Sequence, residues 1–483
     1  MPIVHELAEF AHDASFDELD EAALDQLKIR VLDGIGGALG ALGADPVRRV
    51  RDHVDALGGA DLASLIGGGS TAPDRAALYN GFLVRYLDYN DSYLAEGETC
   101  HPSDNIAPVL AAAQVAEADG REFLTALAVA YQVHCRLSDE APVRDRGFDH
   151  TTQGSYAAAA GAARALGLDV EKTAHAIAIS GTALNALRVT RTGALSNWKG
   201  LAYPHTAFGA THATWLAKHG ITGPPEVFEG NKGFMHTIAG SFELDWDDET
   251  LDRVPSTIVK KYNAEIHSQS ALEGIIELRN EHRIDPERVE AIELQTFDVA
   301  YDIIGGGEEG DKTRVRTKEE ADHSLPYMLA VALLDGQVLP EQYEQTRIES
   351  DDVQRLLQRV EVTEKSEYSR RFPDEMPCRV RVEMADGTSW AIEKDDYEGF
   401  HSRPMSWESV TEKFRWLTDR RLDRRGRRRL GVDSGRGVGG VAAGVRTDHA
   451  RRVTSHELRV TIPESRPGVA VPYSVDDPYL ARE

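Results

Sequence analysis

Through most of the first 245 positions, apolar residues recur three and four apart, the spacing that gathers them on one face of a helix. This pattern predicts helices over 17–42, 73–87, 106–118, 122–135, 154–167, 171–187 and 203–219. Pro73 suits a first helical turn, where its missing N–H costs nothing. Many of these segments are rich in Ala and Gly, and small side chains let helices approach closely. No alternation of strand and helix periods occurs here, which argues against a doubly wound sheet.

The period changes near residue 255. The stretches ERVEAIELQTFDVAYDI (287–303), LLQRVEVTEKSEY (356–368) and CRVRVEMADGTSWAIEKDDYEG (378–399) are rich in β-branched residues and alternate apolar with polar positions, as strands do. Asp386-Gly387 marks a hairpin between two such runs. Helical spacing returns at 268–282, 325–335, 349–355 and 406–422. The expectation is a mainly α fold with a large helical domain at 1–257, rejoined by 401–422, and a smaller α+β lid at 258–400. Residues 423–483 follow neither period. From Arg420 onward the chain holds 14 Arg, no Lys and 8 Asp plus Glu, a composition expected of a disordered or frame-shifted tail.

Charge narrows the function. The net charge is −26, whereas binding to phosphate backbones needs a basic face, so nucleic acid is not an expected partner. The acids are dispersed, as on a solvated acidic surface suited to a cytoplasm rich in salt. No run reaches the roughly 18 apolar residues of a membrane span, and the N-terminal segment lacks the basic and apolar regions of a secretion signal. Cys100, Cys135 and Cys378 lie far apart without metal-ligand spacing. A reduced cytoplasmic protein with no disulfide framework and no iron–sulfur cluster is expected.

Few familiar motifs are present. Gly67–Gly69 lacks the lysine of a phosphate loop and reads as a turn; GGGEEGDK (305–312) reads as a mobile acidic loop. The informative stretch is LDYNDSYLAEGETCHPSDN (87–105). Ser103, Asp104 or Asn105 is expected to cap the helix from Ile106, placing His101 just outside its N-terminus. The helix dipole there disfavours imidazolium and favours bound anions, so a neutral His101 can serve as general acid or base near pH 7. Three further stretches put polar groups at helix entrances: NAEIHSQSALEGIIEL with His267, EADHSLPYMLAVALLDG with His323, Ser324 and Tyr327, and RTGALSNWKGLAYPHTAFGA with Lys199.

In order and spacing these four stretches resemble the MmgE/PrpD family, over roughly residues 5–420. The resemblance implies a helical domain with an α+β lid, a homodimer, and no metal or iron–sulfur cofactor. It implies Asp88, His101, Lys199, His267 and Tyr327 as catalytic residues, with Asn90, Asp91, Ser92, Ser103, Lys261 and Arg403 as substrate-binding candidates. Arg188, Arg191 and Lys260 are additional cations that suit a carboxylate. The implied activity is metal-independent dehydration of a tricarboxylate, 2-methylcitrate to 2-methylaconitate. His101 would act as base or acid, oriented by Asp88, with His267 and Tyr327 as its counterparts. The longer LAEGETC link favours the dehydratase branch. Decarboxylation of cis-aconitate, epimerisation of a dicarboxylate and non-catalytic binding are the alternatives.

Overall fold

The computed structural model describes residues 1–193 and 195–419; the expectations for 423–483 lie outside the described residues. Nine longer helices fill the first 220 described positions: Ile3–Asp13, Glu21–Ala41, Asp45–Leu57, Pro73–Tyr86, Ile106–Val115, Gly120–Glu140, Thr151–Ala165, Val170–Ala183 and Trp198–Lys218. Three of them start at an aspartate whose carboxylate accepts a main-chain N–H of the first turn: Asp20 from Ala23, Asp119 from Glu122 and Asp169 from Lys172. Thr151–Ala165 is almost wholly buried. Its small side chains admit large neighbours. A methyl on Gly154 would run into the Tyr203 ring, so only glycine lets the helix Trp198–Lys218 lie this close.

This region is not all helix. Ala63–Ser64 pairs with Ser70–Thr71, and Tyr93–Ala95 with Glu98–Cys100, both antiparallel. Strands of two or three residues carry too few positions for a period to show. Gly67, Gly68 and Gly69 all have positive φ and form the turn of the first hairpin. The second hairpin ends on Cys100 and so delivers His101.

A four-stranded mixed sheet follows, in the order Val360–Glu364, Val289–Thr296, Cys378–Met384, Ser389–Lys394. The first pair is parallel and the others antiparallel. Cys378, Val380, Val382 and Met384 are buried while the residues between them are not, the alternation of a sheet with one covered face. The helices Gln269–His282 and Leu325–Asp335 cover that face, and Leu272, Ile275, Leu329 and Leu333 join Ile292, Val380 and Val382 in one apolar core. The last hairpin turns at Gly387, with φ 82°.

The helix Trp407–Thr418 lies on Glu21–Ala41, with Phe414 against Gly36 and Leu417 against Gly40. From it the buried Lys413 ammonium donates to the main-chain carbonyls of Tyr89 at 2.9 Å and Lys260 at 2.8 Å, and pairs with Asp33 at 2.6 Å. The fold is mainly α with one small mixed sheet. No helix among the described residues is long and apolar enough to cross a membrane.

Candidate functional site

The helix Pro73–Tyr86 ends in a tight turn that places Asp88 at φ 55°, a left-handed conformation uncommon for a residue with a side chain. The turn aims the Asp88 carboxylate into a knot of cations. Oδ1 accepts from Arg85 Nη1 and Lys260 Nζ, both at 2.9 Å, and Oδ2 from Lys199 Nζ at 3.3 Å. Lys260 also donates to the Asp88 main-chain carbonyl at 2.8 Å. Burial alone would raise this carboxyl, but Lys260, Lys199 and Arg85 overcome it and hold Asp88 well below the usual carboxylate range.

His101 is oriented by a different pair of groups. Its Nδ1 lies 2.8 Å from the Asp91 carbonyl and 3.0 Å from Ser92 Oγ. A carbonyl only accepts, so Nδ1 carries the proton and Nε2 keeps a free lone pair. Burial, then Arg85, His150 and Lys260, hold the ring well below the ordinary histidine value, with Asp88 opposing. Asp88 thus acts on His101 through charge; the orienting hydrogen bonds come from Asp91 and Ser92.

The expected helix cap does not form. Pro102–Asn105 is a 3-10 turn leading into Ile106–Val115, and none of its side chains caps the helix. Those side chains are committed elsewhere. Asn90 Nδ2 donates to Ser103 Oγ and Asp104 Oδ1, both at 3.0 Å, while Asn90 Oδ1 accepts from Arg85. Asn105 Oδ1 accepts from Tyr203. Asp91 accepts the Ser103 N–H at 2.9 Å and the Tyr131 hydroxyl at 2.7 Å. Asn90, Asp91 and Ser103 therefore form a buried scaffold under the loop. Burial pushes Asp104 within it up to about 7, against Arg85 and His134.

His150, Arg144 and Glu265 join the site without having been singled out in the sequence. His150 stands just before Thr151–Ala165, its ring edge-on to His101 at 5.2 Å between centroids and stacked on Tyr203 at 6.2 Å. Its Nε2 accepts from Arg191 at 3.1 Å, and Arg191 pairs with Asp149 at 2.8 Å. Burial keeps His150 well below the ordinary histidine value, with Arg191 and His134 acting the same way against Asp149. The signal was there to find: Asp149-His150 precedes an Ala-rich helix, as the chosen polar groups precede theirs.

His101, His150, His267 and His323 line one cavity of about 440 Å³, its open mouth included. Arg85, Arg144, Arg188, Arg191 and Lys260 line it too, against only two carboxylates, Asp88 and Glu265. That excess of positive charge suits an anionic ligand. His267 Nδ1 lies 2.8 Å from Glu265 Oε1, and its Nε2 is buried without a partner. Burial would raise Glu265, yet His267, His323 and Lys260 hold it down to about 2.

Lys199 lies behind this wall. Its ammonium is 2.8 Å from Asp322 Oδ1, 2.8 Å from His323 Nδ1 and 3.3 Å from Asp88 Oδ2. Asp88, Asp322 and His323 bring ligand-type atoms within 4.8 Å of one another, and the ammonium reaches all three. Burial, then Lys199, lowers His323 to about 4.

Three expected residues lie elsewhere. Tyr327 sits one turn into Leu325–Asp335, its hydroxyl on the Gln342 carbonyl and its ring beside Tyr343 in the sheet-side core. Lys261 pairs with Glu273 at 3.1 Å and Glu398 at 3.0 Å, and Arg403 pairs with Glu273 at 2.6 Å. Lys260 enters the cavity wall and its neighbour Lys261 does not.

Comparison with known proteins agrees with this order of elements. The family model of the MmgE/PrpD N-terminal domain matches residues 5–247, and that of the MmgE/PrpD C-terminal domain matches 262–434. A cis-aconitate decarboxylase of Mus musculus is 24% identical over 441 residues, 86% of this chain and 86% of its own. A mitochondrial 2-methylcitrate dehydratase of Yarrowia lipolytica is 24% identical over 419 residues, 80% of this chain and 77% of its own. A 2-methylcitrate dehydratase of Cupriavidus necator is 27% identical over 378 residues, 72% of this chain and 76% of its own. With both domain families matched in sequence order on either side of the segment that carries Lys260, the chain belongs to the MmgE/PrpD family.

Proposed function

We propose that this protein is a lyase that dehydrates a small tricarboxylate, 2-methylcitrate to 2-methylaconitate. One observation carries the reading: the free Nε2 lone pair of a neutral histidine, His101, in a cavity lined by five cations and two carboxylates. In the reaction a base takes a proton from the carbon beside a carboxylate, and an acid gives a proton to the departing hydroxyl, which leaves as water. His101 Nε2 is assigned as the base. Its Nδ1 proton, held by the Asp91 carbonyl, fixes the tautomer that leaves Nε2 available.

His267 is assigned as the acid. Glu265 accepts from Nδ1, so to act as the acid His267 enters the step as the imidazolium and gives its Nε2 proton to the leaving hydroxyl. Negative charge builds on the neighbouring carboxylate as the C–H bond breaks, and Arg85, Arg191 and Lys260 offer fixed positive charge where water is scarce. Asp88 holds Arg85 and Lys260 in place, and Lys199 holds Asp88. Asn90, Asp91, Ser92 and Ser103 support the loop that carries His101. Tyr327, Lys261 and Arg403 are assigned no part in these steps.

The mouse relative, matched over 86% of both chains, favours a second reading, decarboxylation of cis-aconitate in the same cavity. Incubation with 2-methylcitrate, citrate and cis-aconitate, with products followed by NMR, separates the two. Loss of the hydroxyl from 2-methylcitrate is expected. Turnover of cis-aconitate alone with loss of carbon dioxide would replace the first reading by the second, and no turnover of any of the three would overturn both. The division into 1–257 with 401–422 and a lid at 258–400, and the homodimer, are parts of the same proposal. Light scattering at micromolar concentration checks the dimer.

A further inference from the structure

The acidic stretch 305–312 reaches the cavity wall. Glu309 Oε1 accepts from Arg188 Nη2 at 2.8 Å, and the Glu309 side chain is only 8% exposed. Its second oxygen, Oε2, is buried without a partner. Burial raises this carboxyl, with Arg188, Lys312 and Arg144 opposing.

Arg188 differs from the other cavity cations in what holds it. Arg85 and Lys260 are bound to Asp88, Arg191 to Asp149, and Arg144 faces Glu98 at 3.7 Å. Those three carboxylates are almost wholly buried and belong to the packed interior. Glu309 belongs to a loop in which Gly306 and Gly310 have φ 111° and 91° and open space where a Cβ would stand. Among the described residues, Glu309 is the only group that the Arg188 side chain hydrogen-bonds. So one cavity cation is neutralised by a carboxylate on a glycine-flanked loop rather than on the packed interior, and that carboxylate is half satisfied.

We propose that Glu309 is a specificity-determining residue: as an internal counter-ion it occupies Arg188, and a ligand carboxylate gains that arginine only by displacing it. The proposal rests on the polycarboxylate reading above. A ligand with two carboxylates is held by the interior cations and leaves Glu309 in place. A third carboxylate reaches the Arg188 end and must compete. Glu309 thereby sets how strongly the cavity prefers three carboxylates over two. The exchange is inexpensive, because the unpartnered Oε2 regains water when Glu309 leaves.

Calorimetric titration of the full chain with citrate and with succinate tests this, for the parent protein and for Glu309→Gln and Glu309→Ala. Both variants are expected to bind citrate roughly tenfold tighter, the worth of one charge-assisted hydrogen bond no longer contested, with succinate little changed. Citrate bound no tighter by either variant overturns the proposal, as does an equal gain for both ligands. If neither ligand binds the parent or the variants, the polycarboxylate reading itself falls. Glu309→Ala keeps the test open if the Gln amide still holds Arg188.

Discussion

Lys260 grips Asp88 twice, at the carboxylate and at the main-chain carbonyl, and so locks a left-handed residue in its turn. Asp88→Asn keeps the shape but leaves Arg85, Lys260 and Lys199 facing a neutral amide. Stripping one partner from a buried charge group costs about 3–5 kcal/mol, so a loss of that size is expected in chemical denaturation. A change below about 1 kcal/mol, the worth of a surface pair, would show that water and the neighbouring carboxylates already carry these cations.

His101→Ala should lower kcat by roughly 10²–10⁴, the usual worth of a positioned acid or base, with a smaller change in KM. The pH profile carries the sharper information. A base must be unprotonated, and burial, Arg85, His150 and Lys260 move His101 down from its ordinary 6.5. The acid limb of kcat/KM should therefore lie below pH 6.5, with a plateau across neutrality. A limb at or above 6.5 means that the titrating base is another group.

Lys199→Met distinguishes two roles. The family resemblance implies that Lys199 acts directly in catalysis, whereas its ammonium is spent on Asp88, Asp322 and His323. The variant should lose about 3 kcal/mol of stability, the low end for an unpaired buried charge, because Lys318 still holds Asp322 and Lys260 still holds Asp88. Unchanged denaturation with a raised KM would return Lys199 to the substrate.

Gly154→Ala should cost about 1–3 kcal/mol by overpacking against Tyr203. Because Tyr203 holds Asn105 and stacks on His150, activity should fall further than in Tyr203→Phe, which keeps the ring. Thermal melts and kcat for the two variants decide it.

These residues also show which parts of the structure can be read from the chain. Most long elements could be, though not Ile3–Asp13 or Asp45–Leu57: 325–335 is predicted and found, and 73–87 and 268–282 differ from Pro73–Tyr86 and Gln269–His282 by one residue. Their apolar spacing runs over ten or more positions and fixes the answer locally. The short hairpins are invisible because two or three residues have no period. The loop carrying Asp88, Asn90, Asp91, Ser92 and His101 was legible as a cluster, since so many short polar groups cannot be buried without partners. Who partners whom was not. Ser103 reads equally well as a helix cap or as an acceptor for Asn90, and only tertiary packing chooses. Tyr327 and Tyr203 illustrate the same limit: each follows a plausible helix entrance, and neighbours far along the chain decide which one backs the cavity.

The Lys413 clamp has a consequence for the order of synthesis. Lys413 holds the carbonyl of Tyr89, 324 positions earlier, and that of Lys260, 153 positions earlier. Those two segments supply Asp88 and the lysine that grips it. A nascent chain stalled before Trp407 can form the early helices, yet it lacks the side chain that draws the two segments together. Such a chain should leave 87–92 open to protease, and one stalled well past Thr418 should protect it. The site would then be among the last parts of the molecule to set, however early His101 leaves the ribosome.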